Sequence, residues 1–273
     1  MILRYILLIL SIICFSDAVM IGTSKKHKAD TLLLANYYIN FQSDVIRTND
    51  KDKYTDKFGF QEEIYIFKPV YYTENFLFHL TLPYRKVNQK ITHEKEMGIY
   101  DISAGIGYFI PNDYGDLLFL STLQLPTGEY DKNKPNGALQ VAQNRYELQE
   151  ELYFFKAVKD TKIPFLIDAL LAYHYRGENL DTKVDNGNYI GAEATISAIL
   201  SPNFFIGPAI YYKRYSKEGL ITPDVGSSKY QIGLDVLYKF DEKNSLALEY
   251  VEDKEVKNRA EGDRFSLRYV FIF

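Results

Sequence analysis

The final eleven residues, Asp263-Arg-Phe-Ser-Leu-Arg-Tyr-Val-Phe-Ile-Phe273, decide how this chain is read. Phe265, Leu267, Tyr269, Phe271 and Phe273 fall on one face of a period-2 strand, and Arg264, Ser266 and Arg268 open the other. A strand that is apolar on one side, cationic on the other and closed by a terminal phenylalanine suits a barrel wall between lipid and a wet lumen. Half-buried strands of soluble sandwiches also alternate, with the arginines then facing water, so the rest of the chain has to choose.

The opposite end points to export. Arg4 supplies a positive charge, Ile6 to Phe15 is an apolar core, and Ser16-Asp17-Ala18 has the small-x-small pattern of a cleavage site, so residues 1–18 are expected to be a signal peptide. The apolar run is too short for a transmembrane helix, which needs about 20 residues. Cys14, the chain's one cysteine, lies inside it, which leaves no disulfide framework and no cysteine-based metal site or nucleophile. Aromatics make up 15% of the residues, with 24 Tyr, 18 Phe and no Trp. Tyrosine suits strands and membrane interfaces, where the ring is in the acyl region and the hydroxyl stays wet. A net charge of -4 gives no basic footprint for nucleic acid.

Alternation predicts twelve strands, near 32–46, 59–72, 75–87, 98–110, 116–126, 145–158, 164–176, 188–200, 204–215, 229–240, 244–252 and 263–273. Every second connection is a tight turn rich in Asn, Asp, Pro or Gly, such as Thr73-Glu-Asn75, Pro111-Asn-Asp-Tyr-Gly115 and Asp241-Glu-Lys-Asn244. The others, Arg47–Phe58, Asn88–Met97, Thr127–Asn144, Gly177–Gly187, Ser216–Ser228 and Asp253–Gly262, are long and charged, the last reading as a solvated loop. An even strand number with short turns at one end and long loops at the other describes a transmembrane antiparallel up-and-down β-barrel, its short turns periplasmic and its long loops extracellular. The expected division is a signal peptide over 1–18, a short polar periplasmic segment over 19–31 and an outer-membrane barrel over 32–273.

Faces follow strand by strand. Phe76, Phe78, Leu80, Leu82 and Tyr84 are expected toward lipid, as are Phe165 to Tyr175, Tyr230 to Phe240, and Tyr100 to Tyr108, each at every second position. The strand over 145–158 fits least well, because Glu150 interrupts its outward row, and the first two strands are weakly patterned. The lumen should be lined by ionisable groups of both signs: His79, Arg85, Asp101, Asp168, His174, Arg176, Asp235, Lys239, Glu249, Arg264 and Arg268. Gly191, Thr195, Ser197, Gly207, Ala209, Gly233 and Ala247 predict open space against one wall. Two readings of such a lumen stand: a narrow polar pathway for small solutes, or a closed ion-pair network that holds the barrel rigid. Inward aromatics such as Phe109, Tyr153 and Tyr211 suit packing or the stacking of an aromatic solute.

Catalysis is not expected. A Ser-His site needs both groups within hydrogen-bond reach and a third group to orient the base. His79 and His174 have no serine two residues away on their own face, and His27 and His93 read as solvated. Asp181–Asn188 is similar to a calcium loop but places Lys183 where an oxygen ligand belongs, so no metal and no cofactor are expected.

Four segments carry a family resemblance: Leu82-Pro-Tyr-Arg-Lys-Val87, Asp101-Ile-Ser-Ala-Gly-Ile-Gly-Tyr-Phe109, Leu125-Pro-Thr-Gly-Glu-Tyr-Asp131 and Tyr175-Arg-Gly-Glu178. Together, over roughly residues 58–273, they resemble the outer-membrane family named for the meta-pathway (MetA-pathway) of phenol degradation, with Glu129 where that family usually has aspartate. The resemblance implies an outer-membrane barrel that passes hydrophobic or aromatic compounds, with no shared site residues. On the residues alone, Pro126 ends a ladder and Gly128 turns the chain. The last strand also resembles, through Tyr269, Phe271 and Phe273, the C-terminal signal that bacterial barrels present to their assembly machinery. The partners expected are therefore the bilayer with its lipopolysaccharide, that machinery and a small hydrophobic solute.

Overall fold

The computed structural model describes residues 25–48, 50–55, 59–90, 92–134, 139–183, 185, 187–217 and 226–273. The expected signal peptide lies outside the described residues, as does the polar segment up to residue 24.

The strands are β1 (Thr31–Arg47), β2 (Lys53–Thr55), β3 (Phe60–Tyr72), β4 (Phe76–Gln89), β5 (Glu94–Ile99), β6 (Ser103–Ile110) and β7 (Asp116–Gln124). They continue with β8 (Glu147–Val158), β9 (Phe165–Arg176), β10 (Tyr189–Ser201), β11 (Phe204–Tyr215), β12 (Ser227–Lys239), β13 (Asn244–Lys257) and β14 (Ala260–Ile272). β2 pairs only with the end of β1 and β5 only with the end of β4, while the other twelve pair antiparallel in chain order. β14 returns to β1, from Leu33↔Ile272 to Ile46↔Ala260, and closes the barrel. Closure satisfies every ladder within the wall, the condition for crossing hydrocarbon with strands.

The tight turns are local side-chain chemistry. Asn112 Oδ1 accepts from the N–H groups of Tyr114 and Gly115 at 2.9 and 3.2 Å, and Asp241 Oδ1 accepts from those of Lys243 and Asn244 at 2.7 Å each. These turns share one end of the barrel with the start of β1 and the end of β14. At that turn end Phe271 and Phe273 pack edge to face, ring centroids 4.4 Å apart.

Outward rows on β4, β9 and β12 lie where alternation puts them, with Phe78, Leu171 and Leu234 exposed. The expected strand 98–110 is two strands, however. β4 pairs with β5 at Tyr84↔Ile99 and with β6 at Thr81↔Ser103, so one extra residue is inserted between the two ladders. Such a bulge reverses side-chain sense. Tyr100 is consequently buried at 1% exposure, 5.5 Å from the Arg85 guanidinium, and does not face lipid as expected.

A second expectation also fails. Asp253–Gly262 is no solvated loop: β13 runs to Lys257, Asn258 turns with φ 53°, and β14 resumes at Ala260. Asp253 is buried, accepting from Lys229 Nζ at 2.7 Å, Gln231 Nε2 at 2.6 Å and the Gly262 N–H at 2.8 Å. Its charge is neutralised inside the barrel, so charge content alone gave no sign of a loop.

Candidate functional site

The lumen has two unlike halves. At the loop end the connection between β7 and β8, expected to be solvated, folds inward: Leu139, Val141, Ala142, Gln143 and Arg145 are buried. Two side chains hold it. Arg85 donates from its Nη1 to the carbonyls of Gln140 and Val141 at 3.0 and 2.9 Å, and from its Nε to Glu62 at 2.5 Å. Asp101 accepts from the N–H of Gly128 through Oδ1 at 2.9 Å, and from those of Gln143 and Asn144 through Oδ2 at 3.0 and 3.2 Å. A Cβ on Gly128 would come within 2.5 Å of Ala142 Cβ and 2.7 Å of the Tyr100 backbone, so only glycine lets the segment lie against the bulge. Thr127 Oγ1 accepts from the Ile102 N–H at 2.9 Å, and Glu129 Oε1 from the Ile99 N–H at 3.1 Å.

Beside this loop the interior is filled by paired charges and rings. Arg264 donates to Glu249 at 3.1 Å, Tyr211 also donates to Glu249, and Thr195 donates to Asp235 at 3.3 Å. Tyr189 and His174 are hydrogen-bonded at 3.0 Å with their rings stacked, and Glu151 lies 3.8 Å from the same imidazole. Arg176 donates to the Gly187 carbonyl at 2.7 Å and lies over Tyr189 and Tyr215. Arg145 donates to Glu147 at 2.7 Å, and Lys213 faces Glu193 at 3.6 Å. Buried charges of this kind persist only when paired.

The turn-end half is hollow. A cavity of about 860 Å³ reaches the turns at Pro202 and Asp241, and Leu33, Val70, Leu118, Leu166 and Phe205 give it apolar walls. The chain ahead of β1 folds across its mouth. The Lys26 N–H donates to Asp116 at 2.9 Å, and the His27 ring lies against Tyr72 with centroids 4.9 Å apart. His27 is thus partly enclosed and not solvated as expected. Burial, then Lys25, Lys239 and Arg268, push its pKa down to about 4. Between the halves stands His79, whose Nε2 is 3.0 Å from Thr122 Oγ1. It borders both the large cavity and a polar void of about 30 Å³ under Asp101.

The residues expected to line the lumen therefore separate. Arg85 and Asp101 anchor the inward loop. His174, Arg176, Asp235 and Arg264 belong to the packed half, and Asp168 is buried on β9 beside Thr195 of β10. Lys239 and Arg268 border the hollow, and His79 divides the two. At Ala209 and Gly233 the wall of small residues does not face open space: Tyr211 packs with Ala209 and Val251, and a Cβ on Gly233 would be 3.0 Å from Val251 and 3.4 Å from the Tyr211 ring. Glu62, Lys68, Lys229 and Asp253 escaped the sequence reading. Each is a charge at an inward position of a strand, which is the signal that was available. At the loop resembling a calcium site, Asp185 is ion-paired with Lys217 at 2.7 Å and accepts from the Gly187 N–H, and both contacts lower its pKa. Asn186 lies outside the described residues.

A closed barrel with an apolar exterior, paired charges inside and turns gathered at one end has the architecture of bacterial outer-membrane barrels. The family model described as "Putative MetA-pathway of phenol degradation" matches residues 37–269, and the chain belongs to that family. Its fold is similar to that of the COG4313 outer membrane channel from Pseudomonas putida F1, with a TM-score of 0.80 at 17% identity, over 92% of this chain and 98% of that one. It is also similar to the translocator domain of autotransporter NalP from Neisseria meningitidis, with a TM-score of 0.54 at 11% identity, over 91% and 90% of the two chains. No curated protein matches it significantly.

Proposed function

We propose that this protein is a channel of the bacterial outer membrane that passes small hydrophobic or aromatic solutes, its periplasmic half open and its extracellular end closed by the inward loop. The observation that carries this reading is the apolar cavity of about 860 Å³ at the turn end, a size that suits a small-molecule site. A barrel serving only as a rigid wall has no use for an unfilled interior, because packing and dispersion favour filling it. His79, Arg85, Asp101, Asp168, His174, Arg176, Asp235, Lys239, Arg264 and Arg268 are the side chains that border or close the pathway. The role is passage, with no step that needs a catalytic group or a cofactor. Residues 1–18 direct export and are removed. Tyr269, Phe271 and Phe273 present the barrel to the assembly machinery, and the exposed belt meets acyl chains and lipopolysaccharide.

Planar-bilayer recordings test this directly. The purified barrel is expected to show brief openings that become long-lived in Arg85→Ala, which releases the loop. A second reading, a closed barrel that works through its surface, is favoured by the packed extracellular half. Absence of current in both proteins would select it.

A further inference from the structure

The hollow half has two unlike walls. On β4, β7, β8 and β9 the side chains bordering it are chiefly apolar, among them Leu77, Leu118, Leu120, Tyr153, Phe155 and Leu166. On the other side, β3, β14 and β12 bring Lys68, Arg268 and Lys239 to the same space, with Lys25 and Lys243 nearer the rim, while Lys159 follows β8 at the rim of the apolar wall. The only acids among the described lining residues are Asp241 and Glu242, both in the turn after β12. Asp241 is engaged within that turn, accepting from the backbone of Lys243 and Asn244 and from the Asn244 amide at 2.9 Å. Lys239 reaches over the apolar surface, its ammonium 4.7 Å from the Phe205 ring centroid.

Concave, low-dielectric walls concentrate the field of such a one-sided charge set. A neutral hydrocarbon gains nothing from the cations, and a small inorganic anion gains nothing from the leucines. Only a molecule carrying both features uses both walls. We propose that the cavity binds organic anions with an apolar body, of the aryl or medium-chain carboxylate class, the carboxylate toward Lys239, Lys68 and Arg268 and the body along Leu118 and Leu166. Burial is the main reason the His27 pKa is lowered, and Lys25, Lys239 and Arg268 add to it. The proposal deepens the channel reading by giving its solute a charge; it rests on that reading for passage but not for binding.

The test uses the purified protein in lipid nanodiscs, titrated calorimetrically with 2-naphthoate, with its neutral analogue 2-naphthol and with acetate, empty nanodiscs being subtracted. Naphthoate is expected to bind about tenfold more tightly than naphthol, and acetate not detectably. Lys239→Gln should erase most of that preference while keeping naphthol binding, and Leu118→Trp should lose both ligands by filling the apolar wall. Retarded gel mobility on heating verifies that each variant is folded. Equal affinity for naphthoate and naphthol, an unchanged preference in Lys239→Gln, or no binding of either aromatic would overturn the proposal. Bilayer current from the same preparation separates the two ideas: naphthoate binding without current removes the channel reading alone, and current without anion preference removes this inference alone.

Discussion

The two halves of this lumen are enclosed by the same twelve strands and solve opposite problems. Toward the loops, most strands contribute a charge or hydroxyl that meets a partner, and residues 139–145 of the inward loop pack among them. Toward the turns, the inward side chains are mostly aliphatic or aromatic, with His79, Lys68, Lys239 and Arg268 among them, and they leave about 860 Å³ unfilled. Barrel circumference cannot explain the difference, because the strand number is the same at both ends. What differs is whether the inward groups are mostly charged and paired or mostly apolar. The packed end specifies one arrangement, and the hollow end leaves room for a visitor.

The contrast predicts an ordered series of effects. Arg85→Ala should be the most damaging, about 3–5 kcal/mol, because it leaves Glu62 buried without its ion-pair partner and releases two loop carbonyls. Denaturant midpoints in liposomes measure it, and a cost below that of a surface pair would mean the loop end is not tightly packed. Next comes Leu234→Lys on the lipid face, expected to cost roughly 2–4 kcal/mol near mid-membrane and to be independent of the lumen's two halves. A sharper comparison pairs two alanines. Ala209→Leu, in the packed half against Tyr211 and Val251, should lose roughly 1–3 kcal/mol by overpacking. Ala35→Leu, bordering the cavity, should cost little or nothing. Equal losses would contradict the division.

Smallest is the pH effect at the mouth. His27 is held neutral when docked, with a pKa of about 4 against an ordinary 6.5. Free His27 therefore takes up a proton first as pH falls, so docking of the segment is fully present above pH 6.5 and weakens progressively toward about 4. Amide protection factors at residues 26–30, corrected for the intrinsic pH dependence of exchange, should fall across that window, and in His27→Phe the fall should vanish.

Much of the architecture was legible because lipid imposes a strict rule on the outward face. Leu234 and Phe78 had to be apolar, and the period-2 rows and the Asn and Asp turns followed. Where inward residues are polar, as on β4 with His79, Thr81 and Arg85, the contrast is sharp. On β1 and β3 it fades for a physical reason. Leu33, Ala35, Ile64 and Val70 face inward yet are as apolar as lipid-facing residues, and among the inward positions of β1 and β3 only Glu62 and Lys68 are charged. Weak alternation there was itself the trace of an apolar lumen. The bulge at Tyr100 was invisible because a single inserted residue leaves composition unchanged and inverts only the sense of what precedes it. The segments that resemble the family converge on one end of the barrel, where Arg85, Asp101, Gly128 and Arg176 all fasten loops. Their spacing in sequence gave no hint of that meeting, because it arises between strands and a connection brought together only by closure.

Cysteine accessibility tests the division of the lumen most directly. The chain's one natural cysteine, Cys14, falls in the proposed signal peptide, so Leu118→Cys adds a thiol to the hollow half and Tyr54→Cys a control on the exposed β2 strand. A membrane-impermeant maleimide applied to intact cells should label the control and leave Leu118→Cys unreacted, whereas outer membranes opened to the periplasmic side should label both. Labelling of Leu118→Cys from outside intact cells, or its silence from both sides, would contradict a lumen that is shut toward the medium and hollow toward the periplasm.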